Sequence, residues 1–488
     1  MMLTIYNTLS KTKEEFKPLR DTGVSMYTCG VTVYDDCHLG HARSLYIFDL
    51  MRRYLSFRGY QVTWVRNITD IDDKIINRAN ESKRDWKELV TDYISRYYQD
   101  LEALQVDRAD IEPRATENIS DMIAYISRLI AKGYAYEAGG DVYFDVRAFS
   151  RYGQLSGQKI EAMESGVRID PSDLKKDLLD FALWKKSKEG EPSWESPWGM
   201  GRPGWHIECS VMSQKYLMTD TIDIHAGGRD LVFPHHENET AQAEALTDKP
   251  FARYWIHHGL LTINGQKMSK SLGNFITIQD FVAKHKDANL LKLFFLSVHY
   301  AHPIDFTEEK IMEAKTSFNK LRHRLMQADR CFIVKKSHSD MGALQEKVAS
   351  KKFRAEVDEH MKKFQDAMDD DFNTAIAKAV LFDLTSLMEK HINPIKIEAE
   401  DIQYARKIVI TMADVLGLSF KLLQEVDLEL RVYIEQKIQE RNEAGKAKDF
   451  QKADRIREEL RTKGVILEDV KGWVSKPALE GTTWRIEQ

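Results

Sequence analysis

This chain has no run of about 18 apolar residues, the length a membrane-spanning helix needs. The stretch Met1 to Lys11 has no basic region followed by an apolar one, so no secretory leader is expected there. Cysteine is scarce: Cys29, Cys37, Cys209 and Cys331 are too few, among 488 residues, for a disulfide framework. They remain available as metal ligands or as buried apolar groups. CxxC pairs, internal repeats and low-complexity tracts are absent. So is a large excess of charge of one sign: 71 Lys and Arg stand against 76 Asp and Glu, a net charge of -5. That excludes a strongly basic nucleic-acid binder but not an acidic body with one RNA-binding face. The cytoplasm is the expected location, with no membrane partner.

What is present is an ordinary globular composition, 43% hydrophobic and 30% charged, in a chain long enough for about three domains. Val24 to Gly30 is a short apolar run ending in glycine and reads as a strand. Leu45, Phe48, Met51 and Leu55 then recur at helical spacing, and Gly59 supplies a stop. Gln61 to Ile68 is strand-like and Asp70 to Asn80 helical, so the order strand, helix, strand, helix predicts a parallel α/β sheet. From about Ala115 the character changes. Gly139-Gly140 between two aromatic-rich runs is a hairpin signal, and residues 194–204 are dense in turn formers. This region reads as an insertion between two halves of the sheet, which resumes near residues 221–225. After about Glu308, apolar residues at three and four spacing predict long helices over 309–325, 352–368, 375–390 and 402–416, a bundle. A helical hairpin over 430–463 and a few small strands near the end follow. Within residues 431–464 the balance turns basic, ten Lys or Arg against seven Asp or Glu.

Two motifs carry chemistry. His38-Leu39-Gly40-His41 straddles a glycine where a helix is predicted to begin. Backbone N–H groups there attract anions, Gly40 permits close approach, and the imidazoles can donate to phosphate oxygens. Two surface histidines at a turn would look the same. Lys267-Met268-Ser269-Lys270-Ser271 lies in a polar loop and offers mobile cations that can close over a triphosphate. A solvated basic loop is the plain alternative. Together, in this order and in a strand-to-helix context, the two motifs resemble the signatures of the class I aminoacyl-tRNA synthetases, with Leu39 where isoleucine is frequent.

A third constellation is weaker on spacing. His235 and Glu239 stand four apart in Pro234-His235-His236-Glu237-Asn238-Glu239, which is predicted to open a helix with Pro234 in its first turn. That spacing suits a metal and suits a surface pair equally well. Cys29 ends the first strand and Cys209 follows the turn-rich insertion. Spacing alone does not indicate zinc. However, Gly204 to Ser210 and Phe233 to Glu239 resemble the zinc-ligating segments of the cysteinyl-tRNA synthetase family.

That resemblance covers nearly the whole chain, and its implications are specific. It implies a Rossmann-type parallel-sheet catalytic domain with an insertion, an α-helical bundle and a small C-terminal α+β domain. The corresponding boundaries are 1–114 and 205–255 for the two catalytic halves and 115–204 for the insertion. The second-motif and stem-contact region is 256–308, the anticodon-binding bundle 309–425 and the C-terminal anticodon-recognition domain 426–488. The implied activity is ATP-dependent conversion of L-cysteine to cysteinyl-adenylate and transfer to the 3′ end of tRNA(Cys), by a monomer, with Mg2+ accompanying ATP. His38, His41, Lys267 and Lys270 become the catalytic residues. Gly40, His41, Asp230 and Lys270 contact ATP, with Asp230 of the Gly227-Gly228-Arg229-Asp230 turn on the ribose. Thr69, Trp205 and His225 line the cysteine pocket. Cys29, Cys209, His235 and Glu239 hold one Zn2+, while Cys37 and Cys331 do not. Trp484 and Arg485, beside Gly481, are candidate tRNA contacts through stacking and charge.

The zinc makes chemical sense. Serine differs from cysteine by one atom, an apolar pocket separates near-isosteres poorly, and a metal prefers thiolate to hydroxyl. No editing domain is then needed, in keeping with the short insertion. A related ligase of the mycothiol pathway, which hands cysteine to an amino sugar, lacks the anticodon-binding end that 309–488 resembles. A non-catalytic RNA-binding relative would have no chemical need for His38, His41, Lys267 and Lys270. Methionine and valine synthetases share the phosphate motifs but not this arrangement of zinc ligands.

Overall fold

The computed structural model describes residues 2–159, 174–335, 343–392, 397–420, 428–469 and 482–486. Its centre is a four-stranded parallel sheet in the order Ala252–His258, Ile222–Gly228, Gly23–Thr28, Gln61–Arg66. All seven residues of Ile222–Gly228 are buried, as expected of an inner strand covered on both faces. The expected α/β class is borne out. The first half of the chain builds outward from Gly23–Thr28 to Gln61–Arg66, and the second from Ile222–Gly228 to Ala252–His258. The two directions diverge between the inner strands. Ligands of open α/β sheets bind beyond the carboxyl ends of strands at such a point. Cys29 leaves one inner strand there and Arg229-Asp230 leaves the other.

Helix Leu39–Phe57 links the first two strands and buries Leu45, Phe48, Met51 and Leu55, the residues whose spacing predicts it. Its stop is Arg58 followed by Gly59 at φ 88°. The insertion forms a second, antiparallel four-stranded sheet: Ala135–Ala138, Asp141–Phe144, Phe181–Lys186, Gly201–Pro203. Its last strand runs directly into helix Trp205–Leu217, which carries Trp205 and Cys209 back onto the central sheet. Helix Asp73–Ser82 begins three residues later than expected because the Asp72 carboxylate caps it, accepting from the Lys74 N–H.

Past the sheet, the short strand Leu261–Ile263 pairs with Gln266–Lys267 on one side and Ile304–Phe306 on the other. The second motif hangs from this hairpin. Its position is tied to the first motif by Arg43, a fully buried side chain of helix Leu39–Phe57. The Arg43 guanidinium donates to the carbonyls of Gly259 (2.7 Å), Leu260 (2.9 Å), Tyr300 (3.0 Å) and His302 (2.6 Å). Four charge-assisted bonds, those to Gly259 and Tyr300 buried, make this a costly contact to remove.

The helical region is Glu308–Lys335, Ala343–Asp369, Thr374–Ile392 and Ala399–Val415: four helices where the periodicity predicts them, the first ending about ten residues later and the second beginning about nine residues earlier than expected. One apolar core runs without a break from Leu45 and Met51 through Leu291 and Phe294 to Leu384 and Val409. A second lies under the insertion and the opposite face of the sheet. Lys292, buried in helix Ala288–Phe295, joins catalytic region to bundle by donating to the carbonyls of Gln105 (3.0 Å) and Gly417 (2.6 Å). The C-terminal hairpin Leu428–Lys446 and Phe450–Thr462 has its own small core around Ile438, Ile456, Leu460 and Val465. Strands Val465–Asp469 and Thr482–Ile486 pair antiparallel behind it. Gly481 and the side chains of Cys331, Trp484 and Arg485 lie outside the described residues.

Two expectations need correction. The α-helix expected to open at Pro234 begins at Glu237; Val232–His236 forms a π-type turn before it. Proline pushes its predecessor out of the helical region, and Phe233 is extended at φ -138°, ψ 133°. The second motif is also more ordered than a loop: Lys267 ends a strand and Lys270–Leu272 forms a 3-10 turn.

Candidate active site

Cys29, Cys209, His235 and Glu239 converge at the carboxyl edge of the sheet, their ligand atoms all within 4.8 Å of one another. Cys29 Sγ is 3.8 Å from Cys209 Sγ and 3.6 Å from Glu239 Oε1. His235 Nε2 is 3.7 Å from Cys209 Sγ and 3.0 Å from Glu239 Oε1. Three separate segments deliver these atoms, and Gly30 lets them meet. A Cβ on Gly30 would stand 1.6 Å from the Asn67 carbonyl oxygen, so only glycine allows the two strand-end loops to cross.

The surrounding shell is mostly polar and buried; His225, Thr69 and Trp205 are expected near it, whereas Asn67, His206, Glu208, His236 and His257 have no signal in the sequence. His225 Nε2 holds Glu239 Oε2 at 2.7 Å, turning the other carboxylate oxygen toward the thiols. His236 Nε2 lies 3.2 Å from Cys29 Sγ, and its Nδ1 meets His257 Nε2 at 2.7 Å. Cys29, His225, His236 and Glu239 thus form a second group with metal-ligand spacing. His206 Nδ1 meets His235 Nδ1 at 2.8 Å. Thr69 donates to the buried Glu208 carboxyl at 2.7 Å and accepts from Asn67. Burial pushes the Glu208 carboxyl well up. Trp205 is 38% exposed at the rim, its ring 4.1 Å from that of His235.

Charge in the cluster is arranged for a cation. Burial works against ionisation of Glu239, but His225 and His235 outweigh it and hold the carboxyl well below its usual range. Burial likewise raises the Cys209 thiol, yet the hydrogen bonds to Cys29 and His235 bring it down to about 6. His235 rises to about 10 because Glu239 and Cys209 overcome its burial. A proton here compensates a thiolate and a carboxylate, the place a metal ion takes when its ligands deprotonate. Two sulfurs, an imidazole nitrogen and a carboxylate oxygen form a donor set suited to zinc.

Beside this cluster lie the two phosphate motifs. His38 is the N-cap of helix Leu39–Phe57. Its Nδ1 accepts from the N–H groups of Gly40 (3.0 Å) and His41 (3.3 Å), and His41 Nδ1 accepts from the N–H of His38 (3.3 Å). Leu39 N–H goes to the Ile276 carbonyl. The free backbone donors expected at this helix start are therefore spent on the cap. The rings supply the replacement. Burial pushes His38 down to about 4 and His41 well below its ordinary value, so both are neutral. With Nδ1 accepting, each carries its proton on Nε2. The rings stack at 3.8 Å. A Cβ on Gly40 would stand 2.8 Å from His38 Cε1 and 2.9 Å from Nδ1, which is the spatial reason for glycine.

The second motif packs onto the first. Met268 Cε lies beside Gly40, and Phe275 sits edge-on to His38 at 5.3 Å. Lys270 pairs with Asp35 and lies 5.1 Å over the Phe275 ring, while Lys267 is exposed. Asp230 is exposed in the turn Arg229–Leu231, and its charge, with that of Asp35, bears on His38. Cys37 is buried near Asp100, away from the metal cluster.

A parallel-sheet crevice holding these two motifs defines a class I aminoacyl-tRNA synthetase. The model for the tRNA synthetases class I (C) catalytic domain matches residues 15–316, and that for the DALR domain matches residues 363–421. Similar solved structures include Mycobacterium tuberculosis methionyl-tRNA synthetase with methionyl-adenylate. It has a TM-score of 0.59 at 14% identity, over 81% of this chain and 89% of that one, a likeness of fold alone. An Agrobacterium radiobacter K84 leucyl synthetase complex is similar at TM-score 0.59 and 12% identity, over 82% and 85%. Sequence relatives are far nearer. The cysteine--tRNA ligase of Anoxybacillus flavithermus is 48% identical over 99% of this chain and all of that protein. That of Geobacter sulfurreducens is 46% identical over the full length of both. The chain belongs to the cysteine--tRNA ligase family.

Proposed function

We propose that the protein joins L-cysteine to tRNA(Cys) in two steps. Cysteine carboxylate attacks the α-phosphorus of ATP, which enters with Mg2+, giving cysteinyl-adenylate and pyrophosphate. A hydroxyl of the terminal tRNA ribose then takes the cysteinyl group and AMP leaves. The observation that carries this reading is the juxtaposition, at one sheet edge, of a Cys-Cys-His-Glu cluster with metal-ligand spacing and the two phosphate motifs.

Cys29, Cys209, His235 and Glu239 would hold Zn2+, which when bound supplies a Lewis acid that prefers the substrate thiolate to the hydroxyl of serine. The remaining work is orientation and charge stabilisation. His38 and His41 donate from Nε2 to phosphate oxygens as charge builds on them. Lys267 and Lys270 bring cations to the departing pyrophosphate. Asp230 accepts from the ribose, and Gly40 keeps the His38 ring in place. Thr69 and Trp205 bound the cysteine pocket, and His225 acts on it through Glu239. Residues 1–114 and 205–255 form the catalytic body, 115–204 the insertion and 256–308 the stem-contact region. Residues 309–425 and 426–488 meet the anticodon arm, with Trp484 and Arg485 among the contacts. The enzyme works as a cytoplasmic monomer; among the described residues no helix is long and apolar enough to cross a membrane.

Cysteine-dependent ATP–pyrophosphate exchange tests the first step. Lys270→Ala is expected to slow single-turnover adenylate formation while the fold survives. An unchanged rate would remove Lys270 from the reaction.

A further inference from the structure

Asp35 lies three residues before His38, in the segment that leads from the first strand to the helix. Its side chain is largely covered, at 16% exposure, whereas its partner Lys270 is 54% exposed. The pair ties the loop of the second motif to the segment of the first. The other Asp35 oxygen faces Arg78 at 3.9 Å. The loop itself is internally stapled by Asn274, which accepts from the Ser269 N–H (2.8 Å) and donates to the Lys267 carbonyl (3.2 Å). A stapled loop moves as a unit, so a tether on one lysine governs the whole of it.

We propose that Asp35 is a positioning residue that holds Lys270, and with it the second-motif loop, until ATP arrives and exchanges the carboxylate for phosphate as the lysine's partner. The inference rests on the ATP reading of Lys270. Its physical basis is charge. A triphosphate seated against His38 and His41 stands beside the Asp35 carboxylate, and like charges that close repel. The ammonium between them gains by turning from a single carboxylate to a more highly charged phosphate chain. Asp35 thereby sets the resting place of the loop and lowers the apparent affinity for ATP, since the pair must break first.

The test is Asp35→Asn, a substitution of nearly equal shape, in the full-length metal-loaded enzyme. Without nucleotide, tryptic cleavage at Lys267 and Lys270 is expected to quicken. In cysteine-dependent pyrophosphate exchange the KM for ATP is expected to fall roughly 1.5- to 5-fold, the range for a part-exposed ion pair, with kcat little changed. In a Lys270→Ala background the same substitution is expected to leave the KM for ATP unchanged, which a merely structural aspartate would not do. Unchanged cleavage together with an unchanged KM would overturn the proposal. So would an effect that persists without Lys270, or a raised KM with a steeper need for free Mg2+, which would place the carboxylate on the metal–nucleotide complex. Failure of ATP to protect the wild-type loop from trypsin would instead count against the ATP reading of the loop.

Discussion

Replacing Gly40 with Ala separates stability from catalysis at the first motif. The added Cβ would meet His38 Cε1 at 2.8 Å and Nδ1 at 2.9 Å, closer than such atoms come, so the ring must move. It cannot slide freely, being stacked on His41 at 3.8 Å and edge-on to Phe275 at 5.3 Å. Moving it breaks the two backbone bonds to Nδ1, a cap worth about 0.5–2 kcal/mol. Alanine returns up to about 1 kcal/mol through better helix propensity. Net stability is therefore expected between a gain of about 0.5 and a loss of about 2 kcal/mol relative to the parent, a shift of a few degrees at most in a thermal melt. Catalysis has no such compensation. The His38 Nε2–H loses its aim, and one misplaced transition-state donor costs on the order of 10²–10³ in rate. Single-turnover adenylate formation measures this directly. Adding Gly40→Ala to His38→Ala is expected to cost little more, because the ring it displaces is already gone. A parental rate in Gly40→Ala, or a full further loss in the double variant, would refute the reasoning.

Other outcomes follow from the same geometry. Cys209→Ser is expected to lose bound metal and cysteine binding together, and full metal content by atomic emission would remove its ligand role. His225→Phe leaves Glu239 Oε2 without its 2.7 Å partner and is expected to weaken metal binding by about 10–100-fold in chelator competition, with the four ligands intact. Lys292, pushed by burial down to about 8 from an ordinary 10.5, titrates in the folded state before the unfolded one. Between those values the unfolded chain holds more protons, so stability rises with pH across the window. The group contributes a cost of roughly 3 kcal/mol at neutral pH that is relieved by about pH 10.5. Lys292→Met is expected to flatten this rise in denaturant titrations at pH 7.5 and 10, and an unaltered slope would refute the assignment.

The sequence carried the large elements well, because their signals are local. Leu45, Phe48, Met51 and Leu55 mark one helical face and are all buried on it. The bundle helices have the same clear period. Helices Trp86–Leu104, Ile278–His285 and Ala288–Phe295 were missed, although Asp85, Thr277 and Asp287 cap them in the ordinary way. At the first motif the error was chemical. Capping is expected from Ser, Thr, Asp or Asn, so a histidine pair that caps itself left the backbone donors looking free. The candidate metal cluster draws on strand ends and helices from both halves of the sheet, and spacing along the chain does not encode that meeting; only the family resemblance pointed to it. The shell of Asn67, His206, Glu208, His236 and His257 was out of reach for the same reason, and the polar run from His235 to Glu239, which is buried throughout, reads equally well as a surface pair.

On the proposed function, the Cys29, Cys209, His235 and Glu239 cluster selects cysteine for an ATP site and then for tRNA. The decisive assay is ATP-dependent transfer of labelled cysteine to total tRNA, with labelled serine in parallel. Acid-precipitable cysteine without serine is the expected result. Equal transfer of serine would contradict the role of the cluster. No transfer of cysteine to tRNA, with pyrophosphate exchange intact, would contradict the assignment of residues 309–488 to tRNA.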